Sequence, residues 1–193
     1  MNNETKKAVV LLSGGMDSAV TLLLARQADY KIYALTFDYG QKSRFEIESA
    51  KKIANEYGIA EHVILKLDLA KFGGSSLTDR AMDVPSGETS GVPSTYVPAR
   101  NLIMLSVAVS WAEVLGTSAV FIGVNVRDYS GYPDCRKSFL DSFEETAGLA
   151  TKKETKIAVQ APLILMSKAK IAETGRDLGL DFSITSSCYN PAE

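Results

Sequence analysis

The sequence predicts an α/β fold, an open parallel five-stranded sheet with helices on both faces. Short apolar runs, typical of strands that are covered on both sides, alternate with segments of helical periodicity. This alternation continues almost to the end of the chain. It indicates a parallel sheet, because neighbouring parallel strands must be joined by a crossover connection, which is usually a helix. The first strand also breaks abruptly into a glycine-containing loop, as in the strand–loop–helix units of ligand-binding sheets.

Three strands are predicted in the first half of the chain. The runs Val9 to Leu12, Lys31 to Phe37 and His62 to Leu67 are short and largely apolar. A helix is predicted between the second and third strands, and Gly58 offers its C-terminal stop. The residues that carry its helical spacing are Arg44, Phe45, Ile47, Ala50, Ile53, Ala54 and Tyr57.

The second half of the chain completes the alternation. The stretch from Asp68 to Pro98, rich in Gly, Ser, Pro and Thr, is long for an ordinary connection; it predicts an active-site loop or lid, with disorder as the alternative. The elements predicted after it are a helix over Arg100 to Leu115, a strand over Ala119 to Val124, a helix around Phe139 to Gly148, a strand over Ile157 to Gln160 and a helix over Ser167 to Leu178. Residues 1–193 are expected to form one domain.

Composition and charge narrow the possible function classes. With 46% apolar and 23% charged residues, the chain has the composition of an ordinary soluble globular domain. A net charge of −2 gives no general attraction for polyanions, so no stable nucleic-acid partner is expected. Neither a membrane span nor a signal peptide is recognisable, so a cytoplasmic protein is expected. Its two cysteines, Cys135 and Cys188, are then expected to be reduced.

The most specific segment is the loop Ser13 to Ser18, with the sequence Ser-Gly-Gly-Met-Asp-Ser. Gly14 and Gly15 allow a tight turn, and the helix that begins near Asp17 directs its positive end at the loop, so that an anion bound there is stabilised. The loop has neither the Lys of a Walker A motif nor the Gly-x-Gly of a dinucleotide fingerprint. An ordinary turn with a helix cap is the alternative. Its position directly after a buried strand favours phosphate binding.

Three predicted loops follow the carboxyl ends of strands one, two and four: Ser13 to Ser18, Asp38 to Gln41 and Asn125 to Asp134. Ligands of open parallel sheets bind at this edge, so the three loops are expected to share one site. Tyrosines in the third loop could stack on a flat heterocycle. Asp128 and Asp134 could accept hydrogen bonds from the ring N–H and amino groups of a guanine-like base.

The motif Ser-Gly-Gly-x-Asp-Ser resembles the PP-loop of the ATP pyrophosphatase superfamily, whose members cleave ATP between the α- and β-phosphates and pass AMP to an acceptor. With further segments, the chain resembles the 7-cyano-7-deazaguanine synthase family of queuosine-precursor synthesis. These segments are Ser13 to Ser18, Phe37 to Gln41, Tyr96-Val97-Pro98-Ala99-Arg100-Asn101, Gly131 to Arg136, and Ser187-Cys188-Tyr189.

This resemblance implies an adenine-nucleotide alpha-hydrolase-like, Rossmann-like fold and an ATP-dependent ligase. The implied reaction converts 7-carboxy-7-deazaguanine and ammonia into the nitrile by adenylating first the carboxylate and then the amide. The implied cofactors are ATP, Mg²⁺ and a structural Zn²⁺, and the implied assembly is a homodimer with small-molecule substrates.

Site residues are assigned as hypotheses from their positions in these loops and motifs. Nucleotide binding is expected along the phosphate loop and the start of its helix, at Leu12, Ser13, Gly14, Gly15, Met16, Asp17, Ser18, Ala19, Val20, Thr21 and Leu22. The catalytic candidates are Asp17, Ser18, Arg100 and Lys168, with Mg²⁺ meeting Asp17. A surface ion pair or a solvated helix charge is the alternative for Arg100 and Lys168. The substrate candidates are Asp38, Tyr39, Gln41, Asp128, Tyr132, Asp134 and Arg136.

Cys188 stands where the resembled family places a zinc-binding cysteine, which three more follow in a C-x-x-C-x-x-C cluster. Structural zinc is four-coordinate, so Cys188 alone cannot hold it. Residues 186–193 are therefore expected to begin a zinc-binding tail that is incomplete in this sequence. A variant without the metal, in which Cys188 is an ordinary buried thiol, is the alternative.

Two other functions share the phosphate loop. Another PP-loop enzyme, such as a tRNA-modifying adenylating ligase or thiolase, would change the acceptor, but the acidic balance of the chain counts against it. A non-catalytic nucleotide-binding module would bind ATP without turnover, and it would leave the polar loop that begins at Asn125 without a purpose.

Overall fold

The computed structural model describes residues 5–79, 81–84, 91–125 and 131–186. Its strands are β1 (Lys7–Leu11), β2 (Lys31–Asp38), β3 (Glu61–Lys66), β4 (Ala119–Phe121) and β5 (Ala158–Gln160). Its α-helices are α1 (Met16–Gln27), α2 (Phe45–Glu56), α3 (Arg100–Leu115), α4 (Lys137–Ala150) and α5 (Lys168–Asp177). Short 3₁₀ turns cover Leu69–Phe72, Pro133–Cys135 and Phe182–Ile184.

The five strands form one sheet in the order β3-β2-β1-β4-β5, and every pairing is parallel. The predicted fold class is therefore confirmed. The strand order reverses between β1 and β4, which lie side by side with Val9 opposite Val120. A crevice for a ligand is expected outside the carboxyl ends of these two strands.

Two apolar cores cover the two faces of the sheet. Side chains alternate along β1, so Val9 and Leu11 belong to one core while Ala8 and Val10 belong to the other. The first core includes buried side chains of α3 and α4, and the second includes those of α1, α2 and α5. This double cover explains why the strands are apolar runs rather than alternating patterns.

The largest difference from the predicted elements is at β4, which ends at Phe121 rather than Val124. Ile122 still donates its backbone N–H to Gln160 O at 2.9 Å, but Gly123 then lies against α1, where a Cβ would approach Asp17 O to 3.0 Å. The apolar run outlasts the strand because Ile122 and Val124 remain buried in the first core.

The described part of the 68–98 connection is packed against the domain. Leu69, Leu77 and Val97 are buried in the first core, and Ser76 donates its backbone N–H to Ser94 O at 2.8 Å. The residues of this connection that the structure describes do not belong to the cavity wall described below, and its function as an active-site loop or lid stays a prediction.

No helix in the described parts of the chain combines the length and hydropathy needed to cross a membrane.

Candidate active site

A cavity of about 650 Å³ opens where β1, β2 and β4 end. The phosphate loop and the second loop both contribute to its wall, as do the described ends of the third loop and the first turns of α2, α3 and α5. The convergence predicted for the three loops is thus present in the residues that the structure describes.

The phosphate loop is held in shape by its own serines. The Ser18 hydroxyl donates to Gly15 O at 2.8 Å and accepts the backbone N–H of Ser13 at 3.2 Å. Ser18 is buried, whereas Ser13 is exposed at the cavity. The loop is therefore arranged in advance around the N-terminus of α1, where backbone N–H groups and the helix dipole favour an anion.

Gly14 fixes the loop against the neighbouring helix. Its φ of +88° is a left-handed conformation that L side chains rarely adopt, and a Cβ there would collide with Glu46 O and lie 2.9 Å from Ala50 N. On its other side, Gly14 O accepts the backbone N–H of Ser186 at 2.9 Å. The loop thus lies between α2 and the segment that follows the last 3₁₀ turn.

Asp17 and Lys168 form an ion pair across the mouth of the phosphate loop. Lys168 Nζ donates to the two carboxylate oxygens of Asp17 at 2.9 and 2.7 Å. The Asp17 side chain is 17% exposed and that of Lys168 is 41% exposed. The pair joins the first turn of α1 to the first turn of α5, and both residues line the cavity.

Arg100 and Tyr39 stand at another part of the wall. The guanidinium donates to the Tyr39 hydroxyl at 3.1 Å and lies 5.5 Å from the ring centroid. Burial raises the pKa of Tyr39, and Arg100 opposes that rise. Arg100 thereby carries its charge into a largely buried site while it is held by an aromatic partner.

The predicted substrate residues divide between the cavity wall and its support. Tyr39, Gln41 and Tyr132 line the cavity. The Asp38 carboxylate accepts the Gly40 N–H at 3.4 Å within the second loop, and Arg136 is exposed as the N-cap residue of α4. Substrate contacts for Asp38 and Arg136 stay predictions.

The Asp134 carboxylate makes a contact with α3 that the sequence did not predict. It is buried, and it accepts the backbone N–H of Asn101 at 2.9 Å. This bond satisfies a donor in the first turn of α3, next to Arg100. Burial raises the pKa of Asp134, while the Asn101 N–H and Arg100 oppose the rise. In the structure Asp134 supports the helix that presents Arg100, and its contact with substrate stays a prediction.

Part of the predicted nucleotide-binding segment faces the protein interior. Ala19, Val20 and Leu22 are fully buried in the second core, and the Thr21 hydroxyl donates to Asp17 O at 2.8 Å. The side chains of the segment that reach the cavity belong to Leu12, Ser13, Met16, Asp17 and Ser18, with Gly15 beside them. Two further predicted site residues, Asp128 and Cys188, lie outside the described residues.

Several polar or ionisable residues of the cavity wall were not predicted as site residues, among them Glu46, Asn101, Asn125 and Cys135. Burial raises the pKa of Glu46, and Arg100 opposes that rise. Burial also raises the pKa of the Cys135 thiol to about 11, so this thiol stays protonated. Asn125 donates to Met166 O and so fixes the segment that leads into α5. Asn101 and Cys135 belong to motifs of the resemblance, whereas Glu46 has no such signal.

Comparison with solved structures finds similar folds in two synthetases. A 4-thiouridine synthetase in complex with RNA and bound ATP matches with a TM-score of 0.59 and 22% identity, over 93% of this chain and 42% of that chain. NMN synthetase from Francisella tularensis matches with a TM-score of 0.56 and 18% identity, over 95% of this chain and 66% of that chain. At such identities the likeness shows the fold alone.

The sheet order and the Ser-Gly-Gly-x-Asp-Ser loop at the head of α1 define a PP-loop type of α/β fold. Residues 7–193 match the family model described as queuosine biosynthesis protein QueC, and the chain belongs to that family. It is 54% identical to the 7-cyano-7-deazaguanine synthase of Nitrosospira multiformis, over 95% of this chain and 81% of the relative. It is 50% identical to the 7-cyano-7-deazaguanine synthase of Pseudomonas fluorescens, over 98% of this chain and 84% of the relative. The family expected from the motifs is confirmed.

Proposed function

We propose that this chain is an ATP-dependent ligase that makes 7-cyano-7-deazaguanine from 7-carboxy-7-deazaguanine and ammonia. The observation that carries the proposal is a single cavity bounded by both a phosphate-binding loop and a wall of aromatic and polar side chains, in a member of this family. ATP and small-molecule substrates suit such a cavity, and the proposal places the enzyme in the cytoplasm, where ATP is available.

The reaction explains why a pyrophosphate-releasing loop is needed. A carboxylate is a poor electrophile, and transfer of AMP to its oxygen creates a leaving group as pyrophosphate departs. Ammonia then displaces AMP to give the amide. A second adenylation, on the amide oxygen, allows elimination of AMP to give the nitrile. One nucleotide site serves both steps, because each breaks the same bond of ATP.

The phosphate loop supplies the binding site for the departing pyrophosphate. Ser13, Gly15 and Ser18, with the N-terminal N–H groups of α1, receive its oxygens. Lys168 stabilises the charge that develops there. The ion pair with Asp17 keeps Lys168 in the site before ATP binds. In the ATP complex, Lys168 interacts with both Asp17 and the phosphates.

Mg²⁺ fits the chemistry of the same residues. Asp17 brings a carboxylate to the loop that is paired with Lys168 and keeps lone pairs for a second partner, and hard oxygen donors are the ligands that Mg²⁺ prefers. When bound there, the ion neutralises phosphate charge. The protein residues position the nucleotide around it.

The deazaguanine ring is proposed to bind between Tyr39 and Tyr132, with Gln41 beside them. Arg100 neutralises the substrate carboxylate and the α-phosphate. Asp134 acts on this site by holding the first turn of α3, which carries Arg100. Asp38, Asp128 and Arg136 complete the proposed substrate contacts from the second and third loops.

Two family features, zinc and dimerisation, are separate proposals. Cys188, which lies outside the described residues, is the proposed zinc ligand; the described residues contain no group of three or more His, Cys, Asp or Glu side chains placed to hold a metal. Metal analysis of the purified protein tests this feature, and light scattering tests the homodimer.

The function is tested by supplying the protein with ATP, isotopically labelled ammonium and 7-carboxy-7-deazaguanine. Mass spectrometry should find the nitrile with the labelled nitrogen, together with AMP. AMP that forms only when tRNA is added would contradict the proposal and favour a tRNA-modifying ligase.

A further inference from the structure

Glu46 is a carboxylate at the active cavity to which neither motif nor position assigned a role. It is the second residue of α2, and its side chain belongs to the cavity wall. Its backbone is in close contact with the phosphate loop, because Gly14 approaches Glu46 O so closely that no Cβ fits between them. Glu46 is therefore fixed next to the loop where ATP is cleaved.

The proposed reaction must release protons from nitrogen. Attack of ammonia on the acyl adenylate forms a C–N bond and breaks the C–O bond to AMP, and one N–H proton must leave to give the neutral amide. In the second stage, the amide oxygen bonds to the α-phosphorus while pyrophosphate leaves. The C–O bond then breaks, and two N–H protons leave to give the nitrile. A base near the substrate nitrogen would accept the proton each time one leaves.

Few groups in the described cavity wall can accept a proton at neutral pH. The carboxylates among them are Asp17 and Glu46. Both oxygens of Asp17 are engaged by Lys168. The Cys135 thiol, with a pKa raised to about 11, and the Tyr39 phenol, whose pKa is also raised, hold their protons. Of these wall residues, Glu46 is the acceptor that remains.

The surroundings of Glu46 suit proton transfer. Burial raises the pKa of its carboxyl, while the positive charge of Arg100 keeps the ionised form accessible. A carboxylate whose pKa moves towards the working pH can take up a proton and then release it, as a general base must. The side chains of the wall that carry charge or titrate around it are those of Asp17, Tyr39, Arg100, Tyr132, Cys135 and Lys168.

We propose that Glu46 is the general base that takes the N–H protons from the reacting nitrogen, once in amide formation and twice in nitrile formation. The inference rests on the proposed function, because it assigns a role within that reaction. Each proton passes from nitrogen to a Glu46 oxygen and then to water before the next departure. Adenylation of the carboxylate releases no proton, so that step does not need Glu46.

The test separates adenylation from the proton-releasing steps in the variant Glu46→Gln. Adenylation is measured without ammonia, as exchange of labelled pyrophosphate into ATP that depends on 7-carboxy-7-deazaguanine. Nitrile formation is measured with ammonia over a range of pH. Glu48→Gln is the matched control, because Glu48 lies on the same helix in an exposed pair with Lys51 at 2.7 Å. Glu46→Asp tests rescue by a shorter base, and thermal unfolding checks each variant.

We expect Glu46→Gln to keep the exchange rate within about threefold and to lose nitrile formation by about 100-fold or more. At a constant concentration of free ammonia, nitrile formation by the wild type should fall at acid pH, and that fall should disappear in the residual activity of Glu46→Gln. Glu46→Asp should recover part of the activity, and Glu48→Gln should match the wild type. The role of Glu46 would be overturned if Glu46→Gln lost pyrophosphate exchange and nitrile formation to the same extent, or if it formed the nitrile at the full rate. Either result would leave the proposed function intact. A wild type that makes no nitrile would overturn both.

Discussion

Lys168 Nζ lies 2.9 and 2.7 Å from the two carboxylate oxygens of Asp17, although the residues are 151 positions apart in the chain. The contact joins the N-terminal turns of α1 and α5, whose N–H groups both favour anions. A cation is thereby kept at the phosphate loop by a partner that is mostly buried. This arrangement explains how the loop can accept a highly charged nucleotide.

Replacing Lys168 by Met should therefore weaken ATP cleavage more than it weakens the fold. We expect Lys168→Met to lower pyrophosphate exchange by about 100-fold, because a charge that stabilises the transition state is removed. Lys170→Met is the matched control, since Lys170 lies on the same turn in an exposed pair with Glu173 at 2.9 Å. Equal exchange rates for the two variants would show that Lys168 has no part in cleavage.

Gly14 should tolerate no side chain. Gly14→Ala forces a left-handed residue and a Cβ into the backbone of α2, and each effect costs about 1–3 kcal/mol. We expect urea unfolding to show a loss of several kcal/mol, or no folded protein. In Gly148→Ala, a helical position of α4 with open space for a Cβ, stability should rise by about 0.5–1 kcal/mol. A Gly14→Ala protein as stable as the wild type would contradict the packing described here.

Asp134 should make stability depend on pH. Burial raises its pKa in the folded state, so the folded protein holds this proton more tightly than the unfolded chain does. The stability that this adds is complete below the pKa of the unfolded carboxyl and is lost as the pH rises through the folded-state pKa. As the pH rises from about 4, the pKa of an ordinary Asp, through the raised folded-state pKa, the wild type should lose stability relative to Asp134→Asn. Urea unfolding of both proteins measures the difference.

The control for this pH dependence is Asp141→Asn, which removes an exposed carboxylate paired with Lys137. Its stability relative to the wild type should change little over the same range, because exposed pairs contribute little. If the stability difference between the wild type and Asp134→Asn were equally independent of pH, burial would not raise the pKa of the Asp134 carboxyl.

Tyr39→Phe should impair substrate handling without removing the aromatic wall. The variant loses the hydroxyl that accepts from Arg100 at 3.1 Å, and a hydrogen bond to a charged group contributes about 1.5–3 kcal/mol. We expect kcat/KM for 7-carboxy-7-deazaguanine to fall about tenfold or more. Tyr33→Phe, on the strand that precedes Tyr39 but packed against Trp111, should leave it unchanged. No change in Tyr39→Phe would mean that Arg100 is positioned by other contacts.

Much of the fold could be predicted because it follows from local patterns. Buried parallel strands are short apolar runs, and the helices between them repeat their apolar residues at helical spacing. The phosphate loop was also predictable, since its glycines and hydroxyls follow a strand directly. The end of β4 was predicted three residues too late, because the chain stays buried to Val124 after the strand ends at Phe121.

The site was less predictable where tertiary contacts decide what a side chain does. The contact of Asp134 with substrate stays a prediction, whereas the backbone N–H of α3 that its carboxylate accepts is a partner that sequence spacing does not indicate. Glu46 was overlooked because an acidic residue in the first turn of a helix is ordinarily explained by the helix dipole. Only the packing of α2 against Gly14 brings it to the cavity.

The most direct test of the account is the ratio of AMP to nitrile in one reaction mixture of protein, ATP, ammonia and 7-carboxy-7-deazaguanine. Successive adenylation of the carboxylate and the amide in one site predicts two AMP for each nitrile, with the amide as the intermediate and no ADP. A nitrile formed with ADP, or ATP that binds without AMP being released, would contradict it.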